Sequence, residues 1–235
     1  MPSLNIAIAG AGIGGLTAAI ALHRAGHQVT VFEQSKAFLR VGADINLTPN
    51  AVRALDGLGI GAAVRIPAAR PTHRISRMWD SGEETSRLEM SDAAEQKYGA
   101  PQLTIHRADL LAALAEVFPL EQVQFAKRAE RVEHTDDGIC LHFKDGSQHR
   151  CDVLIGADGI HSVVRNALFG EEHPRFTGVV AYRAVVPAEL VAHVPNIQAF
   201  TKWWGPNQQS QIVTFPLNQG KDIFIFATTA QDSWH

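Results

Sequence analysis

Ile6-Ala7-Ile8-Ala9-Gly10-Ala11-Gly12-Ile13-Gly14-Gly15, with Glu33 further on, compresses a strand, a tight turn and the start of a helix into one short run. Residues 4–9 are nearly all apolar, as a strand buried on both faces of a parallel sheet requires. Gly10 permits the turn out of that strand, Gly12 removes the side chain that would keep a pyrophosphate from the backbone, and Gly15 lets the next helix pack closely. The helix is expected over residues 14–25, with its free amides and positive dipole end toward the phosphates. After Gly26, a β-branched strand over residues 28–32 ends at Glu33, about 20 residues beyond the fingerprint, where an acid meets ribose hydroxyls and disfavours a 2′-phosphate. An isolated glycine match would signify only a tight turn. Strand, helix, second strand and acid together indicate a nucleotide site.

A second stretch, Gly156-Ala157-Asp158-Gly159-Ile160-His161-Ser162-Val163-Val164-Arg165, repeats the shape with other residues. Residues 152–156 read as a strand that breaks at Gly-Ala-Asp-Gly and feeds a helix through Leu168, an arrangement that points amides at an anion. Ser162 is placed to accept a backbone bond in the first helical turn, and Arg165, one turn on, to clamp the loop or a phosphate. Alone, Asp158 would be a turn residue and Arg165 a solvated charge. Two phosphate motifs so far apart in one chain narrow the dinucleotide to FAD.

Composition bounds the rest: 235 residues, 46% hydrophobic and 19% charged, suffice for a sizeable core in one or two domains. A net charge of -3 without a basic run leaves no electrostatic footprint for nucleic acid or an anionic membrane, so small molecules are the expected partners. No basic segment precedes the apolar start and no stretch is long enough to span a bilayer, which makes the cytoplasm the expected compartment. Cys140 and Cys151 read as reduced thiols in or beside strands. The eleven histidines form no metal or triad signature; His23 and His27 stand four apart, but Gly26 ends the helix between them. Ser162 lacks the following glycine of a nucleophile elbow.

Between the motifs, residues 49–58 read as a helix ended by Gly59, and residues 72–90 as a hairpin turning at Ser81-Gly82. Arg107 opens a helix over residues 109–117 whose Leu110, Leu111 and Leu114 form an apolar face. Three strand-like runs follow, separated by Asp136-Asp137-Gly138 and Lys144-Asp145-Gly146, the turn chemistry of a meander. Further strands over 178–186, 197–203, 211–215 and 223–227 suggest a mixed sheet. The expected fold class is α/β: a Rossmann-like FAD-binding domain (βαβ, parallel sheet with a β-meander crossover) in residues 1–71 and 101–175, interleaved with a mostly β substrate domain in residues 72–100 and 176–235.

With these motifs, and with Arg40-Val41-Gly42-Ala43-Asp44-Ile45, Thr48-Pro49-Asn50, His106-Arg107-Ala108-Asp109-Leu110 and Ala181-Tyr182-Arg183-Ala184, the chain resembles the class A flavoprotein monooxygenases of the para-hydroxybenzoate hydroxylase fold. It is most similar to their salicylate and 6-hydroxynicotinate hydroxylase branch. The resemblance implies FAD contacts at Gly10, Gly12, Ile13, Gly14, Gly15, Glu33, Gln34, Arg40, Arg107, Asp158 and Gly159, and associates residues 156–165 with NAD(P)H use as well. It places Asn46, Tyr182, Arg183, Phe200 and Trp203 near a substrate cavity, although Tyr182 and Trp203 read equally as sheet packing. The Arg183 guanidinium fork matches a substrate carboxylate in two bonds. Asn46 stands where the 6-hydroxynicotinate branch tends to have a histidine, and Asp44 where a glycine is common.

The activity so implied is hydroxylation of a salicylate-like or hydroxypyridine carboxylate with NADH or NADPH and O2, through oxygen added at flavin C4a, in aromatic-compound catabolism. No metal, nucleic acid or membrane partner is implied, and a homodimer is compatible with it. The family's third motif, a run like Gly-Asp-Ala-Ala-His followed by proline, is not found. The chain is therefore expected to be the N-terminal part of a longer enzyme, holding FAD weakly and hydroxylating nothing alone. Two alternatives stay open: a flavin enzyme of the same fold with halogenase or reductase chemistry, and a noncatalytic nucleotide-binding module. Trp203-Trp204-Gly205 does not supply the Trp-x-Trp-x-Ile run of a halogenase.

Overall fold

The strand expected at the N-terminus is β1 (Asn5–Ala9) in a computed structural model that describes residues 2–38, 42 and 44–233. It is followed by α1 (Ile13–Arg24), β2 (Gln28–Phe32), β3 (Asp44–Leu47), α2 (Pro49–Gly57), α3 (Gly61–Arg65), β4 (His73–Met78) and β5 (Glu84–Glu89). Next come α4 (Ser91–Tyr98), β6 (Leu103–His106), α5 (Arg107–Ala115), β7 (Val123–Gln124), β8 (Ala129–Thr135), β9 (Gly138–Phe143) and β10 (Gln148–Cys151). The chain continues through β11 (Val153–Gly156), α6 (Val163–Phe169), β12 (Val179–Pro187), β13 (Phe200–Trp204), β14 (Gln211–Leu217) and β15 (Asp222–Ala230).

These elements pack into two units, residues 1–39 with 111–175, and residues 40–110 with 176–235. In the first, β11-β1-β2-β7 form a parallel sheet, and Ala9 is the register partner of Gly156 on one side and of Phe32 on the other. Ile6, Ala7, Ile8 and Ala9 are all buried, which accounts for the uninterrupted apolar run in β1. Helix α1 buries Gly15, Leu16, Ala19 and Ile20, one stripe at helical spacing. The meander β10-β9-β8 turns at the two glycines read from sequence, and both have positive φ. Leu141, Phe143 and Cys151 from it join Ala7, Ala9, Phe32 and Val164 in one core, with the Phe32 and Phe143 rings 4.7 Å apart.

In the second unit the strand order is β12-β15-β14-β13-β4-β5, mixed because β13 runs parallel to β4 while its other neighbours are antiparallel. A smaller ribbon, β3-β6, is tied to this sheet where the Thr104 hydroxyl donates to the Pro216 carbonyl at 2.6 Å. Packing thus gathers residues 40–71 and 101–110 with the large sheet, whereas the sequence groups them with the nucleotide motif. The ribbon is the cause. Its strands are four residues long and are separated in the chain by α2, α3, β4, β5 and α4, so neither announces itself locally.

Both cysteines are buried free thiols. Among the described residues no helix is long and apolar enough to cross a membrane, and no group of histidine, cysteine and carboxylate side chains is disposed to hold a metal.

Candidate cofactor cradle and ligand cavity

The two glycine turns meet. After β1 the chain turns at Gly10, whose φ is +100 and whose amide donates to the Phe32 carbonyl at 2.7 Å. After β11, one strand over, the Ala157 amide donates to the Ala9 carbonyl at 2.8 Å, which carries the parallel ladder into the second loop. The approach is so close that a Cβ on Gly10 would lie 2.3 Å from the Ala157 carbonyl oxygen, and one on Gly15 would lie 1.9 Å from the Gly10 carbonyl oxygen. Neither position has room for any side chain, whatever ligand is bound.

Gly12 and Gly14 are different. A Cβ at either would meet nothing within 4 Å, and Gly12 has φ -71 and ψ -177, backbone that any residue adopts. Gly12 is the N-cap of α1, and no side chain caps the helix, so the amides of its first turn face open space. The fold gives no reason for glycine at residue 12. A group outside the protein, seated on those amides, does: the cradle fits a diphosphate. Ile13, half-buried, and exposed Gly14 open the same helix.

Glu33 closes the turn from the side. Its carboxylate accepts the Ala11 amide at 2.9 Å and the Ser35 amide at 2.8 Å, fixing the end of β2 against the glycine loop while each oxygen keeps accepting capacity. Gln34, next to it, is exposed. Arg40 lies outside the described residues.

The second loop departs from its sequence reading in one respect. The amides that open α6 go to the chain's own acid: the Asp158 carboxylate accepts Val163 at 2.7 Å, Val164 at 3.3 Å and the Ser162 hydroxyl. Ser162 accepts the Arg165 amide at 2.9 Å as foreseen, and Arg165 clamps the loop by donating to the Ile160 carbonyl at 3.2 Å. Asp158 therefore holds the loop in shape. Gly159, at φ +82, lies at its exposed tip. Arg107, a residue of the second unit, begins α5 and is half-buried, with its aliphatic stem against the backbone of Gly42.

The second unit contains a cavity of about 340 Å³, within the range of small-molecule sites. Its polar lining is Asp44, Asn46 and Arg183; its apolar lining is Val213 with Phe200, Phe215, Phe224 and Phe226. Strand pleat explains the selection. Cross-strand pairing puts Phe200, Phe215 and Phe224 in one row, with ring centroids 5.0 and 4.9 Å apart, and Val213, Phe226 and Arg183 in the next row on the same face. The Arg183 guanidinium lies 5.9 Å from the centre of the Phe226 ring, a cation–π contact.

Tyr182 and Trp203 pair with Ala227 and Ile212, the alternate set, and belong to the opposite face. Tyr182 is 55% exposed there, its hydroxyl accepting from Gln231 at 2.9 Å. Of the five expected cavity residues, Asn46, Arg183 and Phe200 line it; the other two are sheet residues, because neighbours along a strand point to opposite sides. Asp44 reaches the cavity with Asn46 since the two alternate with Ile45 and buried Leu47 on β3. That alternation was the signal for Asp44, and the spacing of Phe224 and Phe226 was the signal for the aromatic wall. Burial pushes the Asp44 carboxyl above the usual carboxylate value, against the opposing pull of Arg183 and His106.

A model of the FAD binding domain family matches residues 3–234. Among curated relatives, the 6-hydroxynicotinate 3-monooxygenase of Bordetella bronchiseptica (strain ATCC BAA-588 / NCTC 13252 / RB50) is 38% identical over 98% of this chain and 60% of its own length. The salicylate hydroxylase of Pseudomonas putida is 37% identical over 99% of this chain and 56% of its own. Among solved structures, Klebsiella pneumoniae HpxO complexed with FAD and uric acid superposes with a TM-score of 0.87 at 27% identity, covering 99% of this chain and 58% of that one. The chain thus spans a little over half the length of these proteins.

Proposed function

This chain belongs to the FAD binding domain family, and from that we propose that it is part of an FAD-dependent monooxygenase that hydroxylates a small aromatic acid using NAD(P)H and O2. The observation that carries the proposal is the open space at Gly12 beside a turn where Gly10 and Gly15 are sterically obligatory. A chain that needed only the fold would tolerate a side chain at residue 12.

When bound, FAD would supply the redox chemistry, electron transfer from NAD(P)H and activation of dioxygen. The chain's own residues hold and orient. The Gly12, Ile13 and Gly14 amides would bind the diphosphate at the positive end of α1, Glu33 with its remaining lone pairs and neighbouring Gln34 the ribose, and the loop at Asp158 and Gly159 would flank the diphosphate. In the cavity, four phenylalanines would exclude water and stack on the ring while Arg183 pairs with its carboxylate.

The test is oxidation of NADH or NADPH by the FAD-loaded full-length protein across a panel of salicylate-like and hydroxypyridine acids, with product measured alongside. Substrate-dependent oxidation coupled to a hydroxylated product is expected. Failure of every aromatic acid would overturn the proposal.

A further inference from the structure

We infer that Arg74, Lys202 and Trp204 form an anion subsite beside the cavity, separate from Arg183, that receives the diphosphate of the nicotinamide dinucleotide. This rests on the proposed function, and it concerns how the second reactant is held rather than which ring is hydroxylated.

The sheet puts the three on one face. Lys202 and Trp204 follow Phe200 at alternate positions of β13, and Arg74 on β4 is the register partner of Phe200, so all three belong to the face that carries the aromatic wall. Lys202 pairs with Val213 of the cavity, but its ammonium is turned along the strand and stands 3.5 Å from the centre of the Trp204 ring. No acid answers these cations. Among the described residues neither Arg74 nor Lys202 has an ion-pair partner. The neighbours of Lys202 across β4 and β5 on this face are Ser76 and Ser86. Glu84 of the same hairpin is held by Arg77 and Arg87, and Arg77 is the register partner of Trp203 on the opposite face. Burial, and after it the Arg74 charge, draws the Lys202 ammonium below the usual lysine value, as befits a cation short of counter-charge.

Distance decides which anion fits. Arg183, Phe226, Val213 and Lys202 are successive partners in one cross-strand row, so Arg183 and Lys202 stand three strand spacings apart, about 14 Å. A single-ring acid seated with its carboxylate at Arg183 stops short of Lys202. The oxyanion there therefore belongs to a second molecule. The proposed reaction has one other organic reactant, and it carries a diphosphate between two aromatic bases. Two cations suit the diphosphate, and Trp204, 46% exposed, offers ring surface to a base beside it.

The probe is tetrahydronicotinamide adenine dinucleotide, phosphorylated and unphosphorylated, which keeps the diphosphate and cannot reduce flavin. It is titrated calorimetrically into the FAD-loaded full-length protein. Lys202→Gln is expected to weaken its binding about 10-fold, as loss of a hydrogen bond between charged groups implies. Arg74→Gln should weaken it about 3-fold, since that side chain is exposed, and Lys202→Arg, which keeps the charge, by less than about 3-fold. In steady-state assays the KM for NADH or NADPH should rise in step, while the KM for the aromatic acid responds to Arg183→Gln and not to Lys202→Gln. Thermal unfolding of each variant establishes that it is folded. Unchanged probe affinity in Lys202→Gln, a rise in the KM of the acid alone, or no binding of either probe by the unaltered protein would overturn the inference. Turnover by the unaltered protein separates the outcomes: with hydroxylated product formed, only the subsite is lost, whereas no product from any aromatic acid removes the functional reading beneath it.

Discussion

At residues 10–15 the candidate ligand surface is backbone from which side chains have been removed, while in the second unit it is a pleated sheet from which side chains project. The first kind of surface is intolerant, because its neighbours are carbonyl oxygens that cannot rotate away: the Ala157 oxygen stands where a Cβ of residue 10 would be. The second kind is adaptable, since Phe200, Phe215 and Phe224 touch through rings that can repack. A surface of the first kind suits a ligand common to a whole family; the second suits a variable one.

The largest effect is expected from Gly10→Val, which combines positive φ with a backbone clash. A loss of about 4 kcal/mol or more, seen in urea unfolding as a first unit that no longer folds, follows from such a clash. Native-like stability would show that the two turns do not share one space. Phe215→Ala, at the centre of the aromatic row and 2% exposed, should cost about 3–5 kcal/mol. If denaturant titration gave less than about 1 kcal/mol, the adaptable wall would be more yielding than its packing indicates.

Asp158→Ala frees the amides of Val163 and Val164 and the Ser162 hydroxyl. The expected loss is about 1–2 kcal/mol, that of an N-terminal helix cap, measured in the same way. Gly12→Ala should be the smallest in stability, within about 0.5 kcal/mol of the parent. Flavin fluorescence should nonetheless report FAD affinity lowered by about 10-fold, as expected if a methyl group displaces a phosphate hydrogen bond. A stability loss like that of Gly10→Val would erase the distinction between glycines kept for the fold and glycines kept for a ligand.

How much of this could be read in advance differs by element. β1, α1 and β2 emerge within one residue of their expected limits because every signal in them, apolar run, glycines and acid, is local. The meander turns, at Gly138 and Gly146, were equally plain. β3 and β6 were not foreseen, being short and paired with each other from distant parts of the chain, nor was α4, whose eight residues carry little apolar pattern. The role of Asp158 was half legible: its place in a strand–turn–helix shape was evident, but the choice between an external anion and its own helix depended on where the carboxylate points.

The sequence by itself determined where the chain turns and what period each segment follows, because glycine's freedom and the pleat of a strand are properties of neighbouring residues. Only the tertiary structure decided which glycine is required by packing and which is not, since the atom that forbids a side chain on Gly10 is the carbonyl oxygen of Ala157, in the loop that follows another strand. It decided likewise that Arg183 faces the cavity and Tyr182 does not, for alternation fixes two faces but only the packing of the sheet says which one is covered.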